Sequence, residues 1–226
     1  MQRLDQLNAQ FAAQETANFG KHELSHVTQA PADPLLSLQI LFREDKFEQK
    51  VNLGIGAYKD ENGKSYVFPV VREAEAKIVA NHTLDKEYLP IDGDQDFNRG
   101  ARGVLFGWEH ALVKDPRCVS IQTLSGTGAL KVISDFLHQH RRAPIYVSKP
   151  TWGNHIQVFE SSGMVVREYR YFDPKTKGLD FAGMIADLKN ATPGSCVLLH
   201  TCAHNPTGVD PTLDQWKQIA EVCKAN

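Results

Sequence analysis

The chain has no apolar run approaching the ~20 residues a membrane span needs, which argues against a membrane partner of that kind. It has no excess of one charge. Twenty-five Lys and Arg face 27 Asp and Glu for a net charge of -2, so no global field points to nucleic acid or to an acidic membrane. Its four cysteines, Cys118, Cys196, Cys202 and Cys223, show no Cys-x-x-Cys spacing, and three lie in apolar segments; they read as reduced core thiols in a reducing compartment. Residues 1–26 lack an apolar signal core. They also lack the Arg-rich, acid-poor composition of a mitochondrial address, since Arg3 and Lys21 stand against Asp5, Glu15 and Glu23. Cytoplasm is the default expectation, with an organelle left open. There is no internal repeat and no low-complexity tract. What remains is ordinary for a soluble globular protein: 42% hydrophobic and 23% charged residues in 226, enough for one large domain or one and a half small ones.

The N-terminal quarter is irregular. Residues 4–19 form a polar helix at most, with Leu4, Leu7 and Phe11 on one face. The segment His26 to Pro34 is extended by its prolines, an arm with little core of its own. A short helix opens at Asp33-Pro34. Val51 to Tyr58 reads as a strand breaking into a glycine loop, and Asp60-Glu61-Asn62-Gly63-Lys64 as a turn.

From about residue 66 a regular alternation sets in. Helices are expected over Val71–Asn81, Gln95–Trp108, Thr127–His138, Trp152–Ser161, Phe181–Leu188 and from Thr212 onward. Strands are expected over Val119–Leu124, Ile145–Ser148, Met164–Tyr169 and Cys196–Thr201. The helix after Thr127 is apolar on more than one side and is expected to be largely buried. Thr212 and Gln215 form a capping box. The order βαβαβ implies an α/β fold with a mainly parallel sheet covered by helices on both faces. The chain stops on a helix, so the expectation is a truncated winding. That would leave an unpaired sheet edge and an uncovered apolar helix face, and an isolated chain of poor solubility.

Three strand-end loops stand out, because ligands of open α/β sheets bind beyond the carboxyl ends of the strands. The first is Leu124-Ser125-Gly126-Thr127-Gly128-Ala129-Leu130. Backbone N–H groups at a helix start, small residues and the hydroxyls of Ser125 and Thr127 suit a phosphate. The pattern is neither Gly-x-Gly-x-x-Gly nor Gly-x-x-x-x-Gly-Lys-Ser/Thr, which counts against dinucleotides and nucleoside triphosphates. Its ordinary reading is a Ser N-cap with glycines for a tight turn. The second loop is Lys149-Pro150-Thr151-Trp152-Gly153-Asn154-His155, where Trp152 either stacks on a planar ring or anchors the helix to the sheet. His155 reaches inward toward a carboxylate or is a satisfied core histidine.

The third loop, His200-Thr201-Cys202-Ala203-His204-Asn205-Pro206-Thr207-Gly208, carries an amide at Asn205 and a Pro206 that can hold it, including through a cis bond. A rival reading takes the alternating His200, Cys202 and His204 as metal ligands, but no fourth ligand is evident, so no metal is assigned. A phosphate cradle, an aromatic plate and an amide together suit a phosphorylated aromatic cofactor such as pyridoxal phosphate.

With these motifs in order, the chain resembles the class I aspartate aminotransferases from about Val27 to its last residue. The landmarks are Ala30-Pro31-Ala32-Asp33-Pro34, Val51 to Tyr58, Tyr88-Leu89-Pro90-Ile91, Ser125 to Leu130, Pro150 to His155 and Cys202 to Gly208. The resemblance implies a pyridoxal-phosphate-dependent transferase with 1–26 as an uncovered extension, 27–65 as dimer arm and part of a small domain, and 66–226 as the N-terminal part of the cofactor-binding large domain. It implies that Ser125, Gly126 and Thr127 hold the cofactor phosphate. Trp152 would stack on the ring and touch the substrate carboxylate, and Asn205 would meet the cofactor's phenolic oxygen and the substrate carboxylate. Gly56 would offer a backbone contact to substrate. Tyr88 would reach the cofactor phosphate of the neighbouring subunit in a homodimer, and His155 would stand behind the carboxylate that pairs with the ring nitrogen.

The implied reaction is reversible amino transfer from L-aspartate to 2-oxoglutarate, giving oxaloacetate and L-glutamate, with amino acids and 2-oxo acids as partners. The family's Schiff-base lysine, ring-nitrogen aspartate and carboxylate-binding arginines have no counterpart in these 226 residues. Lys131 and Lys149 lie near the loops but not at matching positions. The expectation is therefore half a site, inactive alone. An aromatic-amino-acid aminotransferase of the same class, or a non-catalytic member that pairs with a full-length subunit, are the alternatives.

Overall fold

The computed structural model describes residues 23–28 and 34–226. The polar helix expected over 4–19, and Gln29 to Asp33 of the expected arm, lie outside the described residues. Contacts divide the chain into two compact units, Met1–Lys86 and Glu87–Asn226.

The first unit carries a short 3-10 turn, Glu23–His26, then α1, Pro34–Glu44, and α2, Pro69–Ala80. Pro69 opens α2 at a position where its missing N–H costs nothing. The expected turn is present: Asp60 accepts from the N–H of Asn62 and Lys64 through Oδ1 and from Gly63 through its carbonyl, and Gly63 takes the positive φ of 70°. Beside it Tyr58, Tyr66 and Phe68 form an aromatic cluster with ring centres 4.8 to 5.8 Å apart. The strand expected over Val51–Tyr58 does not form. No neighbouring strand offers it a ladder among the described residues. Its polar groups close locally instead, since Asn52 Oδ1 accepts from the N–H of Gly54 and from Gln39 Nε2.

The second unit begins with α3, Gln95–Phe106, capped by Asp94, whose carboxylate accepts from Phe97 N–H. A 3-10 turn follows at Ala111–Val113, then α4, Ser125–His140. The sheet is built from β1, Ile145–Lys149, β2, Val166–Arg170, and β5, Cys196–Val197, with α5, Gly153–Ser161, crossing from β1 to β2. Both β2 and β5 run parallel to β1, in the order β2-β1-β5. Between them lie the hairpin of β3, Phe172–Asp173, and β4, Gly178–Leu179, which the periodicity did not signal, and α6, Phe181–Lys189. The chain continues into α7, Leu213–Ala225, whose capping box is formed at both bonds.

The central strand β1 is buried on both faces, as parallel strands are. Ile145 and Val147 pack with Phe159 and Met164, with Leu130, Leu137 and Ile156 of α4 and α5 around them. Tyr146 faces the other way, into Tyr169, Tyr171, Met184, Leu188 and Ile219, beneath α6 and α7. This two-sided core is the expected α/β arrangement and it aims the ends of β1 and β5 at one set of loops.

Four expectations need correction. The strand over Val119–Leu124 is absent. Gln122 is bonded instead to the turn at Asp92–Asp94, through its own N–H to Asp92 O and its Oε1 from Asp94 N–H. The strand from Cys196 ends at Val197, with one further ladder bond from Leu198 N–H to Tyr146 O, because the chain then turns back on its own side chains. Helix α4 is not largely buried. Only Ser134 is fully inside, and Val132, Ile133 and Phe136 are exposed, since the sheet it covers is narrow. None of the cysteines is a core thiol: all four are free, Cys118 and Cys196 are half-buried, and Cys202 and Cys223 are exposed in the third loop and on α7. Among the described residues no helix is long and apolar enough to cross a membrane.

Candidate active site

The first loop enters α4 through an unusual backbone. Ser125 takes a positive φ of 56°, a region non-glycine residues avoid. The N-cap is Leu124, without a side-chain bond, so Ser125 does not cap the helix and its ordinary reading is set aside. The first intrahelical bond is Gly128 N–H to Leu124 O, which leaves the N–H groups of Gly126 and Thr127 ahead of it at the positive end of the helix. Ser125, Gly126 and Thr127 are all exposed.

The second loop leaves β1 through a cis peptide at Lys149-Pro150 and starts α5 at Gly153. Trp152 is half-buried and meets the His155 ring edge-on at 5.3 Å. His155 is buried, with Nδ1 against Thr151 Oγ1 at 2.8 Å. Asn154 Nδ2 donates to Thr127 Oγ1 at 3.0 Å, which ties the second loop to the first.

The third loop turns rather than extends. Ala203 has a φ of 50°, Asn205-Pro206 is cis, and Asn205 N–H donates back to His200 Nδ1 at 2.9 Å. The side chain of Asn205 stays exposed beside this turn. The turn also removes the alternation on which the metal reading depended. His204 has both ring nitrogens engaged by hydroxyls, Ser148 Oγ and Thr207 Oγ1, and Cys202 is exposed.

A ladder of rings joins the second and third loops. His155 meets His200 edge-on at 5.2 Å, His200 stacks on His204 at 4.3 Å, and His204 stacks on Tyr171 at 3.8 Å. Burial pushes His155 down to about 4, helped by the neighbouring His200. Burial pushes His204 down to about 4 as well, with His200 adding to the effect and Asp210 opposing it. His200 is lowered by burial against the same Asp210. All three imidazoles are thus neutral acceptors and donors at pH 7. The Nε2 of His200 is buried without a hydrogen-bond partner, a polar atom left in reserve inside the site.

Five of the expected site residues are therefore gathered: Trp152 and His155 by their ring contact, Thr127 through its bond from Asn154 of the same loop, and Ser125 and Gly126 by the same helix start as Thr127. Asn205 joins them through His200. Tyr88 lies elsewhere on the second unit, 97% exposed, its N–H on Glu87 Oε1. Gly56 lies in the first unit, with open space where a Cβ would stand. Thr151, Tyr171 and Asp210 were not singled out, and His200 and His204 were paired only in the metal reading, not with His155. The i, i+4 spacings Thr151/His155 and His200/His204 were the available signal.

Comparison with known proteins bears on this geometry. The pattern of the family "Aminotransferase class I and II" matches residues 48–226. The chain is 50% identical over 201 residues to "Aspartate aminotransferase, cytoplasmic" of Oryza sativa subsp. japonica, covering 88% of this chain and 49% of that protein. It is 47% identical over 202 residues to "Aspartate aminotransferase, mitochondrial" of Gallus gallus, covering 88% and 48%. Among solved structures, an aromatic-amino-acid aminotransferase from Burkholderia pseudomallei, covalently bound to pyridoxal phosphate, superposes with a TM-score of 0.83 at 43% identity, covering 90% of this chain and 51% of that one. The chain spans about half the length of the curated relatives it matches.

Proposed function

We infer the activity from one premise: the chain belongs to the class I and II aminotransferase family. The reading is that its site serves reversible amino transfer between L-aspartate and 2-oxoglutarate in a protein that uses pyridoxal phosphate. One observation carries it. The bond from Asn154 to Thr127 and the ring ladder from Trp152 through His155 to His200 bring a helix-start anion cradle, an aromatic plate and a free amide into one contiguous place.

The residues present suit the group. Gly126 and Thr127 N–H, with the Ser125 hydroxyl that caps nothing, receive the phosphate. Trp152 covers one face of the ring, and the exposed Asn205 amide donates to the ring oxygen and to the substrate carboxylate. His155, neutral and bonded to Thr151, stands behind the ring nitrogen. Exposed Tyr88 extends to the phosphate of a neighbouring subunit in a homodimer. Residues 66–226 form the N-terminal part of the cofactor domain in this reading, with 27–65 as arm and small-domain segment. The bound cofactor supplies the sink for the electrons released at the substrate α-carbon. These residues orient it and exclude water on the Trp152 side.

The test is a titration of the chain with pyridoxal phosphate, followed by Trp fluorescence, then borohydride reduction and peptide mapping. Saturable quenching that is lost in Trp152→Ala and weak with dephosphorylated pyridoxal, without an adduct at a unique lysine, is the expected result. No saturable quenching overturns the cofactor assignment. An adduct at one lysine overturns the view that these 226 residues lack a carrier.

A further inference from the structure

His204 is 2% exposed and belongs to the loop that presents Asn205. Its hydrogen bonds have a direction. Ser148 Oγ donates its single proton to Pro150 O at 3.0 Å, so at its 2.8 Å contact with His204 Nε2 it must accept. The His204 proton therefore sits on Nε2. Nδ1 is left as an acceptor for the Thr207 hydroxyl at 2.8 Å, and Thr207 Oγ1 in turn accepts from Val209 N–H at 3.2 Å.

The relay runs one way, from Val209 through Thr207, His204 and Ser148 to Pro150. Its far end is the residue pair before Trp152. The rest of the loop is clamped around the same ring. Tyr171 stacks on it at 3.8 Å and donates its hydroxyl to Val209 O at 2.6 Å. The Asp210 carboxylate accepts from the N–H of Ala203 and His204 at 2.7 and 2.9 Å.

We propose that His204 is a positioning residue that braces the Trp152 loop against the Asn205 loop through this relay, and so sets the spacing between the ring plate and the amide. The inference rests on the cofactor reading only for what that spacing serves. His200 and His155 on one side and Asp210 and Tyr171 on the other are the titratable groups around the ring. Burial keeps it neutral, as the relay requires. A proton on Nδ1 would end the donation from Thr207.

The test uses the whole chain in two ways. Without cofactor, nitrogen-15 spectra of the imidazoles report the His204 tautomer, and Ser148→Ala probes the brace by removing one hydroxyl. The expected result is Nε2–H in the unmodified chain. In Ser148→Ala the Asn205 amide and the Trp152 indole resonances should move together, while the Gly126 amide stays in place. An Nδ1–H tautomer, or an unmoved Asn205 amide, overturns the proposal.

With pyridoxal phosphate, Ser148→Ala is expected to weaken binding about ten-fold, the scale of one lost hydrogen bond. A double-mutant cycle with Asn205→Ala should be clearly less than additive, and one with Ser125→Ala additive. Equal coupling to both sites would mark a general structural effect and overturn the positioning role. If the unmodified chain shows no saturable binding, the cofactor reading fails, and the tautomer and resonance results still decide the brace.

Discussion

Two apolar runs of similar composition precede two of the site loops, and they have opposite fates. Ile145–Ser148 becomes the central strand, paired on both sides, with Val147 fully buried. Among the described residues Val119–Leu124 pairs with nothing strand-like, and Val119 and Leu124 are 76% and 91% exposed. Alternating or continuous apolar residues state a preference for a pleated, buried surface, but a ladder needs a partner whose N–H and C=O groups face it. Where β2 and β5 supply those groups the run is a strand. Where, among the described residues, the turn at Asp92–Asp94 is what the run bonds to, the same kind of run stays irregular.

The largest expected effect probes the packed side of this contrast. Phe159→Ala, at the centre of the Ile145–Val147 cluster, should cost about 3–5 kcal/mol in denaturant unfolding, whereas Val119→Ala should stay within about 0.5 kcal/mol. Equal losses would mean that the 119–124 segment is packed in solution. Hydrogen exchange makes the same comparison without mutation: the Val147 amide should be protected to the level of global unfolding and the Ile121 amide should exchange rapidly.

The next effect separates the ring ladder from the rest of the fold. His155 and His204 stay neutral in the folded chain down to about pH 4, whereas in the unfolded chain they take up protons near pH 6.5. Between these values the unfolded state binds more protons. The stabilisation is complete above about pH 6.5, is lost progressively as pH falls through that window, and is not lost further by these groups below about pH 4. A loss of up to about 3 kcal/mol per histidine is expected across it. A His204→Gln variant that still folds should show a shallower slope in pH-dependent unfolding. An unchanged slope would mean that His204 is already protonated in the native state.

The smallest pair compares two helix starts. Thr212 caps α7 with a complete box, and Thr212→Ala should cost about 1 kcal/mol. Ser125 caps nothing, so Ser125→Ala should leave stability within about 0.5 kcal/mol while weakening pyridoxal phosphate several-fold. A stability loss at Ser125 equal to that at Thr212 would restore its ordinary reading as a cap.

Much of the second unit could be read in advance, because its signals are local. In the second unit the Thr212/Gln215 box and the Phe181, Met184, Ile185, Leu188 stripe, and in the first unit the Asp60 turn, each lie within a few residues, and each forms as its spacing implies. The short hairpin at Phe172–Leu179 was missed because two-residue strands carry no period. The cysteines were misplaced because an apolar neighbourhood in sequence does not say which side of α7 or of a turn meets solvent. Of the site, Ser125, Gly126, Thr127, Trp152, His155 and Asn205 could be named from their loops, whereas Tyr171 and Ser148 could not. Their partners are 33 and 56 residues away, and nothing local announces a ring stacked across that distance.

The sequence by itself determined the helices, the α/β order, the three loops and the family, since propensity, capping and motif spacing are properties of neighbouring residues. Only the tertiary structure decided which apolar runs became strands, that Ser125 is free of capping, and that three histidines meet ring to ring in one neutral ladder. Pairing partners, burial and the direction of a hydrogen-bond relay depend on groups that are distant in the chain and meet only when it folds.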